Sequence, residues 1–255
     1  MADPNCTVCD GTGWRPVERG EVSGVERCEC DQAARPAQLL EAATIPANFQ
    51  RASFENFILP KKDDNPLSNE TLSKAMLDAK VYSREYPMTD KAGLLLMGLP
   101  GVGKTHLATA VLKVLLERGF EGIFLDYQSL LERIRSGYNP AAGSSAREAY
   151  QAALDTAVVL LDDLGAHRVS DWVEDTVTAI INHRYNARKA TIITTNLPDP
   201  DVGDALARKD PASGKYWVKD SLADRIGARA RSRLFEMCRL VRITATEDYR
   251  LRGLR

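Results

Sequence analysis

The sequence predicts an α/β fold: a parallel sheet covered by helices on both faces, preceded by a small cysteine-rich module. Three observations predict it. From residue 92 onward, apolar runs of strand length alternate with segments of helix length. A glycine-rich stretch, GLPGVGKT (98–105), lies between one such run and an amphipathic segment. Four of the five cysteines fall within the first 30 residues.

The chain has 255 residues, 44% of them hydrophobic, enough for one well-buried domain with a small appendage. A formal net charge of −1 argues against a chain that is basic overall or disordered. The ends differ. Residues 1–31 carry seven acids and three arginines, whereas residues 225–255 carry nine arginines and three acids. The first residues are polar and acidic, and no apolar run is long enough to span a bilayer. This predicts a cytosolic protein with no membrane partner, in a compartment where thiols stay reduced.

Cys6 and Cys9 form a C-x2-C pair in CTVCDGTGW, and Cys28 and Cys30 form a C-x-C pair. Two short-spaced pairs joined by a hairpin-sized spacer supply the four soft ligands of tetrahedral Zn²⁺. CTVCDGTG also resembles one repeat of the zinc domain of DnaJ-type chaperones. A redox couple would need C-x-x-C at the start of a helix within a βαβ pattern, which this segment lacks. Four thiolates on Zn²⁺ make the module more acidic still, so a protein suits it better than a nucleic acid. Cys238 reads as an ordinary buried thiol.

The run 94–97 enters G-x4-G-K-T, and a helix with Leu107, Val111, Leu112 and Leu115 on one face leaves it. This is the strand–loop–helix context of a Walker A motif. Backbone amides of Gly101 to Thr105 suit the β-phosphate of ATP at a helix N-terminus. Lys104 would span the β- and γ-phosphates, and the Thr105 hydroxyl would hold Mg²⁺. The binding set is Gly98, Pro100, Gly101, Val102, Gly103, Lys104, Thr105 and His106. AVVLLDDLG (157–165) is an apolar strand ending in two acids. Asp162 is placed to hold Mg²⁺, and Asp163 to polarise the attacking water. KATIITTNLP (189–198) ends a further strand in Asn196, a polar tip able to orient that water. In residues 219–243, Arg225, Arg229 and Arg233 recur every four residues along an expected helix. Either a solvated basic face or an arginine finger reaching a neighbouring subunit's ATP fits that pattern.

The expected organisation is a zinc module over 1–31, a connector over 32–67 and an ATPase domain over 68–255. Helices are expected over 68–86, 104–118, 128–136, 145–155, 171–187 and 219–237. Strands are expected over 94–97, 122–126, 157–162, 191–195 and 240–243. Ser170 caps the 171–187 helix. No internal repeat is present. About a dozen residues follow the last strand, too few for a helical lid.

Taken in order, GLPGVGKTHLATA, LLDDLG, NHRYNARKATIITTNL and RIGARARSRLFEMC resemble the DnaC/IstB family of AAA+ ATPases, from about Phe49 onward. CTVCDGTGW…CEC is similar to the N-terminus of its loader-type members. The resemblance implies a P-loop core of the AAA+/ASCE type, found in bacteria or phage-infected cells. It implies an ATPase that loads the hexameric replicative DNA helicase onto single-stranded DNA at replication initiation. Subunits would assemble head to tail in the ATP state, and the N-terminal module would grip the helicase. Asn196 matches the sensor position, and Arg229, then Arg233, the finger. Arg250 stands in for the lid arginine. Lys61, Lys62, Arg133, Arg135 and Tyr138, on loops or helix ends, are candidate DNA contacts, though a solvated surface explains each as well and none forms a patch. Asp163 departs from the usual Glu, and C-x-C from the usual second pair. A transposase helper of the IstB type shares the core. A metabolic P-loop kinase would need an acceptor pocket and a lid, and a degenerate binding module would not keep Lys104, Thr105, Asp162 and Asp163.

Overall fold

The computed structural model describes residues 5–20, 22–136, 145–167, 170–203, 207–209, 216–218, 220–245 and 248–250. It opens on an antiparallel hairpin of β1 (Trp14–Arg19) and β2 (Val22–Arg27), with Trp14 opposite Arg27 and Pro16 opposite Val25. Directly paired residues share a face, so Trp14, Pro16, Val25 and Arg27 lie together, all exposed. The Arg27 guanidinium stacks 5.1 Å from the Trp14 ring.

Helix α1 (Glu29–Ala42) follows at once, with Cys28 at its N-cap. It runs through Pro36 and occupies the first part of the expected connector. Proline costs a helix one backbone hydrogen bond, but packing of an amphipathic face outweighs such local penalties. Helix α2 (Pro66–Glu85) begins with Asn65, whose side chain accepts from Ser68 N–H at 3.1 Å, and proline at its first position fits the helix backbone.

The core elements follow: β3 (Gly93–Gly98), α3 (Lys104–Glu117), β4 (Gly122–Asp126), α4 (Tyr127–Ser136), α5 (Ser145–Asp155), β5 (Val158–Asp162), α6 (Asp171–Asn186) and β6 (Ala190–Thr195). After them come a short antiparallel ladder, β7 (Ala207–Lys209) with β8 (Tyr216–Val218), then α7 (Leu222–Ile226), α8 (Ala228–Met237) and β9 (Cys238–Ile243). The five-stranded sheet has the order β4-β5-β6-β3-β9, and every pairing is parallel. Its strands are buried on both faces, which is why they read as continuous apolar runs. On one face Leu94, Leu96, Leu160 and Ile192 pack with Leu72 and Ala79 of α2 and Leu107 and Val111 of α3. On the other, Leu95, Val159 and Ile193 meet Leu131, Ala153, Val177, Leu222 and Leu234 of α4 to α8. Helix α1 packs on α3 and β4. Beyond it, Phe124 N–H donates to Ala43 O at 2.8 Å and the Thr44 hydroxyl donates to Phe124 O at 3.1 Å. The connector is thereby fastened to the outer strand.

Two expectations are corrected. The single helix over 219–237 is broken at Gly227, whose φ of +82° is disfavoured for other residues. A Cβ there would stand 2.2 Å from Glu174 Oε1 on α6, so the break lets α6 approach. Arg225 therefore lies on α7, while Arg229 and Arg233 lie on α8. The last strand also begins two residues earlier than expected, directly after α8.

Arg184 of α6 is fully buried with no carboxylate partner among the described residues. Its guanidinium instead donates to the carbonyls of Ala153, Thr156 and Ala190 at 3.0, 2.9 and 2.6 Å and to the Thr191 hydroxyl at 2.9 Å. The first two lie at and just beyond the C-terminal turn of α5, where carbonyls lack helical partners. Ser170 caps α6 as expected, accepting from Val173 N–H at 3.4 Å. Cys238 is buried and its thiol is pushed up to about 12 by burial. Among the described residues, no helix is long and apolar enough to cross a membrane.

Candidate functional site

The loop between β3 and α3 is shaped by its glycines. Gly101 has φ +76° and Gly103 has φ +94°, conformations that an L side chain resists. Gly103 is also crowded, since a Cβ on it would stand 2.6 Å from the Phe57 ring. A Cβ on Gly98 would meet Ile243 O of β9 at 2.6 Å. Val102 turns its side chain into the core, and Pro100 is exposed. Lys104 is buried, with Nζ donating to Leu99 O at 2.9 Å. Burial lowers its ammonium below the usual lysine range, against the opposing pull of Asp163 and Asp162.

Asp162 ends β5 on the same side of the sheet as α3 and is 7% exposed. Burial pushes its carboxyl up to about 6, while the Thr194 hydroxyl, hydrogen-bonded to it, pulls the other way, as does the nearby Thr105 hydroxyl. Two groups expected to share Mg²⁺, Thr105 and Asp162, thus lie near one another. Asp163 is exposed and takes φ +54° as the chain leaves the sheet. Thr194 of β6 joins the two acids: its hydroxyl donates to Asp162 Oδ1 at 2.6 Å and accepts from Asp163 N–H at 2.9 Å. Asn196 is exposed just past the end of β6. The donor set, one buried carboxylate and one hydroxyl beside a glycine-rich helix start, fits Mg²⁺ with nucleotide phosphates.

Beside the loop lies a cleft open to solvent and lined by Asn56, Phe57, Ile58, Leu72, His106 and Tyr249 among others. It is largely apolar and adjoins Gly101 and Gly103, which suits a purine base. His106 lines this cleft and also holds the connector. Its Nε2 lies 2.8 Å from Ser53 O and its ring 5.4 Å from that of Phe57, so it fastens residues 53–57 against the loop. Sequence reading missed Asn56, Phe57, Ile58 and Tyr249. The aromatics of the connector were the available signal, but nothing in their spacing says which pocket they line.

Residues 248–250 return to the same place. Tyr249 N–H donates to Gly101 O at 3.0 Å, and the Asp248 carboxylate accepts from Arg250 N–H at 2.9 Å. Arg250 lies near enough to Lys104 to disfavour its charge.

The arginines of α7 and α8 separate by their partners. Arg225 donates to His167 O at 3.1 Å. Arg231 holds Asp199 through two bonds of 2.7 and 2.6 Å. Arg233 stacks 4.4 Å from the Tyr185 ring. Arg229 is exposed and has no ion pair among the described residues. Of the candidate DNA contacts, Lys61, Lys62, Arg133 and Arg135 are exposed, and Tyr138 lies outside the described residues.

At the N-terminus the sulfurs of Cys6, Cys9, Cys28 and Cys30 all lie within 4.8 Å of one another. Cys6 and Cys28 Sγ are 3.7 Å apart, and Cys9 and Cys30 Sγ 3.5 Å. Tetrahedral Zn²⁺ with bonds of about 2.3 Å requires sulfurs about 3.8 Å apart, so the cluster fits that ion. Gly13 N–H points at Cys9 Sγ at 3.3 Å. Backbone N–H groups of Val8 and Cys9 lower the Cys6 thiol to about 7, favouring the thiolate a metal needs.

The chain matches the family described as IstB-like ATP binding protein over residues 83–252, more than half its length. It is 25% identical over 264 aligned positions to the phage-like element PBSX protein XkdC of Bacillus subtilis, covering 98% of this chain and 88% of XkdC. It is 25% identical to the replicative helicase loader DnaI of Bacillus subtilis over 78% of this chain, and the match spans 63% of DnaI. A crystal structure of the DnaC helicase loader superposes with a TM-score of 0.58 at 29% identity, covering 78% of this chain and 100% of that one. With the glycine loop, the two acids and the parallel sheet in place, the matched span establishes that the chain belongs to the family of IstB-like ATP-binding proteins.

Proposed function

We propose that this protein is an ATP-hydrolysing loader of a replicative DNA helicase. One observation carries the reading. The likeness to the DnaC helicase loader extends over all of that chain at 29% identity, and this chain adds a cysteine cluster with zinc geometry in front. DnaI of Bacillus subtilis, a replicative helicase loader by name, adds support from sequence.

In this reading the amides of Gly101 to Thr105 bind the β-phosphate and Lys104 reaches the γ-phosphate. Releasing Leu99 O is the cost of that reach, and it ties the lysine to nucleotide arrival. Thr105 and Asp162 would hold Mg²⁺, which neutralises charge on the phosphate oxygens. The base would sit on Phe57 and Ile58 under Tyr249, and Arg250 would approach the γ-phosphate in place of a lid arginine. Asp163, exposed just past the end of β5, orients the attacking water together with Asn196. Asp is shorter than Glu, so intrinsic turnover is slow. Arg229, exposed and without an ion pair among the described residues, would complete the site of the next subunit, with Arg233 the second candidate. The hydrolytic switch, head-to-tail assembly, single-stranded DNA in the channel and the domain limits 1–31, 32–67 and 68–255 belong to the same proposal. Zn²⁺ on Cys6, Cys9, Cys28 and Cys30 would hold the acidic N-terminal module in one shape for the helicase.

The test is helicase loading on a single-stranded DNA circle, read as unwinding of an annealed strand. Unwinding that needs this protein and ATP, and fails with Lys104→Ala, is expected. No stimulation, with ATP-dependent retention of duplex DNA instead, would overturn the loader and favour a transposase helper.

A further inference from the structure

Asp162 and Asp163 are neighbours with different tasks. One must be buried and fixed, the other exposed and aimed at solvent. A strand alone would send them to opposite faces, but β5 ends at Asp162 and the chain turns out of the sheet there. Something other than the β5 ladder must hold the turn. That hold comes from β6.

Thr194 is fully buried, and its hydroxyl has one proton and two lone pairs. The proton goes to Asp162 Oδ1 at 2.6 Å, and a lone pair receives Asp163 N–H at 2.9 Å. The next residue is held by the same strand. Leu164 N–H donates to Thr194 O at 2.9 Å, and the Thr195 hydroxyl donates to Leu164 O at 2.9 Å. Asp163 meanwhile takes φ +54°, a backbone conformation sparsely populated by residues with a side chain. Both hydrogen bonds at the Thr194 hydroxyl fall on the acids, and both vanish if that one oxygen is removed.

We propose that Thr194 is the positioning residue of the hydrolytic pair, setting the carboxylate of Asp162 for the divalent cation and the backbone of Asp163 for the water. This rests on the ATPase reading above. The inference goes beyond burial of a polar group. A threonine that merely satisfied its own hydroxyl could do so on backbone groups away from the acids, as Thr195 does by donating to Leu164 O at 2.9 Å and accepting from Leu197 N–H at 3.2 Å. Thr194 spends its proton on a carboxylate oxygen and its lone pair on the amide of the following acid. Partners that orient metal ligands from behind typically contribute 10–100-fold to metal affinity or activity.

The test uses the full chain with Thr194→Val, which keeps the shape and removes the oxygen, and Thr194→Ser, which keeps the oxygen. ATP turnover is followed against Mg²⁺ and ATP concentration, and binding of a fluorescent ATP analogue is measured with and without Mg²⁺. For Thr194→Val, the Mg²⁺ concentration for half-activation rises about 10-fold or more and kcat falls about 10–100-fold. Analogue binding without Mg²⁺, which depends on the phosphate loop, stays at the wild-type value. Thr194→Ser recovers both kcat and Mg²⁺ response. Wild-type kcat and Mg²⁺ response in Thr194→Val would overturn the proposal, whatever its thermal stability. A general loss, with Mg²⁺-free binding falling in parallel in both variants, would show a structural role and also overturn it. If the wild type binds Mg²⁺-nucleotide without turnover, the ATPase reading fails, and Thr194 is then judged on the Mg²⁺-linked binding alone.

Discussion

The Asp248 carboxylate fills the space a side chain on Gly101 would need: a Cβ there would lie 2.0 Å from Asp248 Cγ. The residue after it, Tyr249, donates its N–H to Gly101 O. The segment following the last strand is thus docked onto the phosphate loop at its tightest glycine. Gly101→Ala must both clash there and hold φ +76°. It should lose about 1–3 kcal/mol of stability and most nucleotide affinity. Adding Asp248→Ala removes the clash but not the backbone strain. The double variant should therefore recover part of the stability in urea unfolding. Full additivity of the two changes would mean that the residues do not touch.

Asp162 trades stability for chemistry. Its folded carboxyl sits at about 6, above its ordinary 3.8, because burial disfavours the charge. The burial cost is therefore fully present above pH 6 and fades as pH falls from about 6 toward 4. Asp162→Asn removes the charge and keeps Oδ1 for the Thr194 hydroxyl. Without nucleotide, it should be more stable than wild type by about 1–3 kcal/mol at pH 8. That gap should narrow as the pH drops toward 4, and Mg²⁺-dependent ATP turnover should be lost. Urea unfolding at several pH values measures the gap. A variant less stable than wild type at pH 8 would refute the burial argument.

Arg184 is the polar hinge of the rear layer. Replacing it with Leu removes the side-chain donors to five carbonyls, counting Leu154 O at 3.3 Å and Ala157 O at 3.4 Å. The expected loss is about 3–4 kcal/mol in urea. Lysine should recover little, because a single ammonium cannot reach acceptors arranged for a planar fork.

Arg229 should matter only between subunits. Arg229→Ala should bind ATP normally and hydrolyse little. Mixed with Lys104→Ala, which is inactive for a different reason, it should regain turnover, since each supplies what the other lacks. Regain depends on concentration and reads in a coupled ATPase assay. Failure to complement would point instead to Arg233, tested by the same mixing.

Much of the fold was legible in the sequence because its strands are buried on both faces. Runs such as LLLM and VVLL have no polar alternation to confuse them, and the glycine loop and the acid pair carry their own spacing rules. The missed features depend on contacts between distant segments. Gly227 looked like an ordinary residue within a helix until Glu174 was seen against it. Phe57 and Tyr249 reach the cleft beside the glycine loop from distant parts of the chain. Thr194 sits inside an apolar strand, two residues before the polar tip that sequence reading selected, and only strand pairing sets it beside Asp162. His106 follows the loop in sequence, and its ring both lines the cleft and reaches Ser53 O.

The most direct measurement is capture of this protein by the host's replicative helicase in ATP and Mg²⁺, comparing wild type with Cys9→Ser and measuring bound zinc in each. The account predicts that wild type is captured with one Zn²⁺ per chain, while Cys9→Ser loses zinc and capture but keeps ATP binding. Capture of neither protein, or loss of ATP binding in Cys9→Ser, would contradict it.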